Sequence, residues 1–153
     1  MIKHLKTKRR DESADGIPEH LWRFPTSKAI DNLSKRFGLP NSPEMQDWEW
    51  EVADPQRIDE FVDAYLSSEL DDDERFTLME TIVQSFEDFD GPIEQHPRWK
   101  EVLRLLDEKI TLHIYTVYYW SDLETENVDE QWRVTKYFRS ILYKHKEDFG
   151  LKI

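Results

Sequence analysis

The sequence predicts an all-α protein, a single-domain helical bundle of about five helices around a long central helix. Three observations lead there. Residues 97 to 120 place Trp99, Leu103, Leu106, Ile110, Val117 and Trp120, with His113 filling the one gap, at spacings that alternate four and three, the seam of a helix. A second row, Val102, Leu105, Leu112, Ile114 and Tyr118, makes most of the remaining circumference apolar, and a helix apolar on several sides is normally enclosed by others. Elsewhere the chain offers amphipathic helical repeats bounded by capping and stop residues, with strand-like alternation in one short stretch. A 24-residue helix over 97 to 120 would be about 36 Å long, enough to cross a domain of this size. Residues 110 to 120 are rich in β-branched and aromatic side chains and would also suit a strand. The unbroken seam from the charged first half favours one continuous helix.

The remaining elements follow in order. Residues 1 to 16 combine Lys, Arg, Asp, Ser and Gly with few apolar anchors, which predicts a flexible basic arm ahead of a helical domain of residues 17 to 153. Leu21, Trp22 and Phe24 enter the fold. Thr26 is placed to cap a helix of about 11 residues with an apolar face at Ile30, Leu33 and Phe37, and Gly38 then Pro40 stop it. In residues 45 to 53, Trp48, Trp50 and Val52 alternate with Asp47, Glu49 and Glu51; with no partner strand in sight this reads as extended chain or a frayed helix. Asp54-Pro55 is a carboxylate cap followed by proline at the first helical position, and Ile58, Phe61, Val62, Tyr65 and Leu66 then repeat at helical spacing. Asp71, Asp72, Asp73 and Glu74 open the next helix at the positive end of its dipole, and Phe76, Met79, Ile82, Val83 and Phe86 supply its buried stripe to about Asp88. A last helix, from about Asp129 to Lys146, buries Val134, Phe138, Ile141 and Leu142.

Composition narrows the function. At 153 residues the chain can bury about two thirds of its unfolded surface without a disulfide or structural metal. It has no cysteine, which removes thiolate ligands, iron–sulfur clusters and a cysteine nucleophile and points to the cytoplasm. The basic start runs into acidic residues with no apolar core, so it is no secretory signal, and no apolar run approaches the ~20 residues that span a bilayer. Net charge is −12, unevenly spread. Residues 44 to 94 hold 18 carboxylates against Arg57 and Arg75, net −16, while residues 131 to 153 hold six basic and two acidic groups, net +4. Such a field repels nucleic acid and anionic lipid and speeds encounter with basic partners. The expected partner is therefore a basic protein, with no nucleic acid, no membrane, and an oligomer as an option.

Motifs for chemistry are missing. The four glycines lie far apart, so neither a dinucleotide fingerprint nor a phosphate loop exists. With Gly91 at position 6 of a calcium loop, positions 1 and 12 would be Phe86 and Pro97, not carboxylates. His96, His113 and His145 make no ligand-spaced pair, although separate helices of a bundle could bring them together with carboxylates. Asp59 with Asp63, and Asp71 with Glu74, are at helical neighbour spacing but sit opposite apolar stripes, where solvent keeps carboxylates ordinary. No catalytic residue, metal site or cofactor is assigned.

What remains is a partner-binding candidate: Asp47, Trp48, Glu49, Trp50 and Glu51 with Asp71, Asp72, Asp73 and Glu74. Indole rings supply anchoring area and cation–π acceptance, and carboxylates steer and pair with Arg or Lys. For Trp48 and Trp50 the core has the edge over a partner surface, as plugs where an extended segment crosses the bundle. The functional expectation is a small acidic protein-binding module, an inhibitor of the immunity or antitoxin kind acting on a basic toxin or nuclease. The alternatives are a metal-dependent enzyme with a His/carboxylate site in the bundle core, and a self-associating structural protein.

Overall fold

The structure, a computed structural model, describes residues 16 to 153. The expected basic arm, apart from Gly16, lies outside the described residues. Among the described residues there are seven α-helices and no strand, so the chain is all-α. It divides into two compact units, Phe24–Trp99 and a second made of Lys100–Ile153 with the segment before Phe24.

The unit Phe24–Trp99 contains α1 (Ser27–Phe37), α2 (Trp48–Glu51), α3 (Ile58–Leu66) and α4 (Asp72–Glu87). Thr26 Oγ1 accepts the Ala29 N–H at 3.1 Å and satisfies one of the orphan donors of α1, while Gly38, at φ 65°, closes its other end in the left-handed conformation that only glycine adopts cheaply. Residues 45 to 53 are not extended: α2 is a single helical turn, and its indoles point different ways because helical rotation separates i and i+2. Asp54 caps a 3₁₀ turn at Pro55–Arg57, which leads into α3. α4 starts on a complete capping box, with Asp71 Oδ1 accepting the Glu74 N–H at 2.8 Å and Glu74 Oε1 accepting the Asp71 N–H at 2.9 Å. α1, α2 and α3 all pack on α4. Every residue of α4 from 76 to 87 is buried, so the apolar stripe at Phe76, Met79, Ile82, Val83 and Phe86 is only part of what is enclosed.

Two arginines tie helix ends in this unit. Arg57 Nη2 donates to the Phe37 carbonyl at 2.8 Å, and its guanidinium lies 5.7 Å and 5.5 Å from the Phe37 and Phe61 ring centroids. Arg75 donates to the carbonyls of Tyr65, Ser67 and Leu70, satisfying acceptors that the end of α3 leaves over.

The expected 24-residue helix is two helices, α5 (Trp99–Glu108), which starts on the last residue of the unit Phe24–Trp99, and α6 (Ile110–Trp120), within the other unit. Lys109 leaves helical geometry at φ −106° and ψ 35°, yet its N–H still donates to the Leu105 carbonyl at 2.9 Å and its own carbonyl accepts from Leu112 and His113. The interruption falls where charged, helix-favouring residues give way to β-branched and aromatic ones that crowd a helical backbone. α6 is buried from His113 to Trp120 and packs on α7 (Thr135–His145). That last helix starts later than Asp129, because Asn127 Oδ1 accepts the Asp129 N–H at 3.0 Å and so starts a separate 3₁₀ turn at Val128–Glu130. Trp132 then packs tilted against Trp120 and Tyr119, with ring centroids at 4.4 Å and 5.5 Å. Arg139 donates to the carbonyls of Ser121 and Asp122 at 2.6 Å and of Thr125 at 2.9 Å, fixing a reversal in which Asp122 takes φ 48°. Among the described residues no helix is long and apolar enough to cross a membrane.

Candidate functional site

The nine residues singled out from sequence divide by burial. Trp48 is buried, its Nε1–H donating to the Pro40 carbonyl at 2.7 Å. Glu49 is buried, and its carbonyl accepts the Thr81 hydroxyl at 2.7 Å. Trp50 is half-buried and donates its indole N–H to Glu80 Oε1 at 3.0 Å. Glu74 is buried and, besides closing the capping box, accepts the Asn32 amide at 3.0 Å. Asp47, Glu51, Asp71, Asp72 and Asp73 are exposed. Of these, Glu51 accepts the Asp47 N–H at 2.9 Å and Asp71 is committed to its cap. The indole N–H groups thus bond within the unit, and Asp47, Glu51, Asp71, Asp72 and Asp73 are the exposed carboxylates of this stretch.

The exposed acids extend along α3. Asp59, Glu60 and Asp63 project to solvent, and Glu69 follows on the turn before α4. Arginines engage several of them: Arg98 reaches Asp63 at 2.9 Å and Asp59 at 3.4 Å, Arg57 reaches Glu60 at 2.9 Å, and Arg36 reaches Glu69 at 2.9 Å. The hydrogen bond from Arg57 holds the Glu60 carboxyl below its usual range. Even so, the unit Phe24–Trp99 carries nineteen acidic against six basic groups, net −13, while the rest of the chain carries fourteen against fifteen, net +1. The charge asymmetry of the sequence is therefore an asymmetry between units.

The chain matches no protein-family model, no curated protein and no solved structure. Its own residues must carry the functional reading.

The three histidines considered from sequence have separate settings. His113 is fully buried on α6, His145 on α7 meets Asp107 at 2.6 Å, and His96 lies in the other unit, in the turn before α5. Among the described residues, no three His, Asp or Glu side chains are grouped as a metal site requires. Asp107 receives Lys144 Nζ at 2.8 Å as well, and these bonds, Lys144 first and His145 second, hold its carboxyl below the usual carboxylate range.

Two features were not read from the sequence. Glu80, Glu87 and Gln84 are enclosed along α4 although polar, and the only available signal was that residues 76 to 87 hold just two charged side chains. Arg98 clasps Asp59 and Asp63 across 39 and 35 residues, for which linear spacing leaves no trace.

Proposed function

We propose that this chain is a binding module for a basic protein, acting as an inhibitor of the immunity or antitoxin kind in the cytoplasm. The observation that supports this reading is the concentration of −13 in the unit Phe24–Trp99, with Asp59, Asp63, Asp71, Asp72 and Asp73 exposed on α3 and the first turn of α4. A field of one sign raises the encounter rate with an oppositely charged partner by about 10- to 1000-fold and falls away with salt. Occlusion then needs no chemistry from the inhibitor: it covers a basic, anion-binding face of the partner and competes with that partner's own anionic substrate.

The test is association kinetics with a basic protein encoded beside this chain's gene, at about 50 mM and about 300 mM salt. Association should slow steeply with salt. Asp72→Lys with Asp73→Lys should slow it by about tenfold at low salt and flatten that dependence, with the fold retained because the capping box of Asp71 and Glu74 that starts α4 is untouched. Binding that ignores both salt and charge reversal would refute the electrostatic reading.

A further inference from the structure

The turn that ends the unit Phe24–Trp99 is built on a histidine used as a cap. Its sequence is His96, Pro97, Arg98, Trp99. Pro97 presets the dihedral for the second position of a turn, and the Trp99 N–H closes that turn on the His96 carbonyl at 3.1 Å. The Arg98 N–H, an orphan donor so close to a helix start, is accepted by His96 Nδ1 at 3.1 Å. This is the place Asp, Asn or Ser would usually hold, filled here by the one common side chain that loses its acceptor on gaining a proton.

The bond defines the ring's state. To accept, Nδ1 must carry its lone pair, so the proton of the neutral ring sits on Nε2. The ring is half-buried, with Phe86 and Phe89 each near-perpendicular to it at 5.1 Å. From α4 and the segment after it the ring thus meets apolar surface. From α3 the charge of Asp59 reaches it and favours the imidazolium, while Arg98 on its own turn opposes it. Arg98 in turn joins this turn to α3 through Asp59 and Asp63. Burial outweighs the Asp59 charge and holds the imidazole below the ordinary histidine range.

We propose that His96 is a proton-operated latch: protonation at Nδ1 expels the Arg98 N–H, opens the 96–99 turn and loosens the hold of Arg98 on Asp59 and Asp63. The proton comes from solvent and no covalent bond other than N–H forms. In the imidazolium both ring nitrogens are donors, so Nδ1–H and the Arg98 N–H would face each other, and the backbone must turn away. The added charge stands beside Arg98, at the positive end of α5, and competes with the guanidinium for Asp59. Acidification therefore releases carboxylates on α3 that neutral pH keeps clasped.

An NMR titration of the whole chain tests this. At neutral pH the imidazole ¹⁵N shifts should show Nδ1 bare and Nε2 protonated. On acidification the Arg98 amide should lose at least about fivefold in protection, after correction for intrinsic exchange, with the midpoint of the His96 ring titration. His96→Asn offers an amide oxygen that accepts at every pH. Its Arg98 protection should stay level through the same range, which a merely structural histidine would not predict. A proton on Nδ1 at neutral pH, an Arg98 amide indifferent to the His96 titration, or an unchanged acid response in the Asn variant each overturns the latch.

Discussion

Gly16 shows how closely single residues are specified. Its N–H donates to Tyr118 Oη at 2.9 Å, and a Cβ built on it would overlap that oxygen. Gly16→Ala must push the phenol away and forfeit the bond, so it should cost about 1 to 3 kcal/mol by urea unfolding, more than the Tyr118→Phe loss of the hydroxyl alone. Arg139 is a larger case, since its guanidinium serves three carbonyls at the end of α6. Replacing it with methionine keeps much of the stem but leaves those acceptors unpaired, at an expected cost of about 3 kcal/mol. Lysine should recover little, because an ammonium lacks the planar fork that reaches them together. Asp107 contributes a pH dependence. Its carboxyl is held below the unfolded value, so the stabilisation from Lys144 and His145 is fully present above the ordinary aspartate range, near pH 3.9, and is lost as pH falls through the lowered folded value. Asp107→Asn should remove that part of the acid destabilisation while lowering stability at neutral pH, which denaturation midpoints between about pH 2 and about pH 7 will show.

At the scale of elements, α4 organises its unit through its start and its enclosure. Asp71→Ala breaks the capping box and exposes no core, so it should cost about 1 kcal/mol. Phe76→Ala, within the buried run, removes a ring that is fully enclosed and should cost about 3 to 5 kcal/mol. The contrast between the two, measured by denaturant midpoints at constant slope, separates nucleation of the helix from its packing. Arg57, Arg75 and Arg139 repeat one device: each donates to carbonyls at or just past the C-terminal end of an earlier helix, where cations also meet the negative end of the dipole. Linear spacing shows none of this, because the partners are 5 to 20 residues away at helix ends and on the turns after them.

Over the whole molecule, charge is the dominant feature, and it acts on stability as well as on encounter. A unit carrying −13 repels itself, and the ion pairs of Arg36, Arg57 and Arg98 offset only part of that. Salt screens exposed charges beyond about 10 Å at 0.1 M. The melting temperature should therefore rise between about 0.05 M and about 0.3 M sodium chloride; a fall would mean that the ion pairs contribute more than the repulsion removes.

Helix type and several helix ends were legible in the chain alone, because they depend on neighbours in sequence: Thr26 caps α1, Gly38 closes it, Asp71 opens α4, and the apolar rows of α3 and α4 lie inside except for Leu66, which is exposed at the end of α3. So was the charge imbalance, which is a property of composition. What enclosed those rows was not legible. Whether residues 97 to 120 stay one helix, whether Glu80 is solvated or buried, and whether Trp48 and Trp50 face a partner or the interior are settled by contacts between residues far apart in the chain. The interruption at Lys109, the indole bond from Trp50 to Glu80 and the clasp of Arg98 on α3 are such contacts. Local periodicity reports which side of a helix prefers to leave water; only the packed chain decides what it meets there.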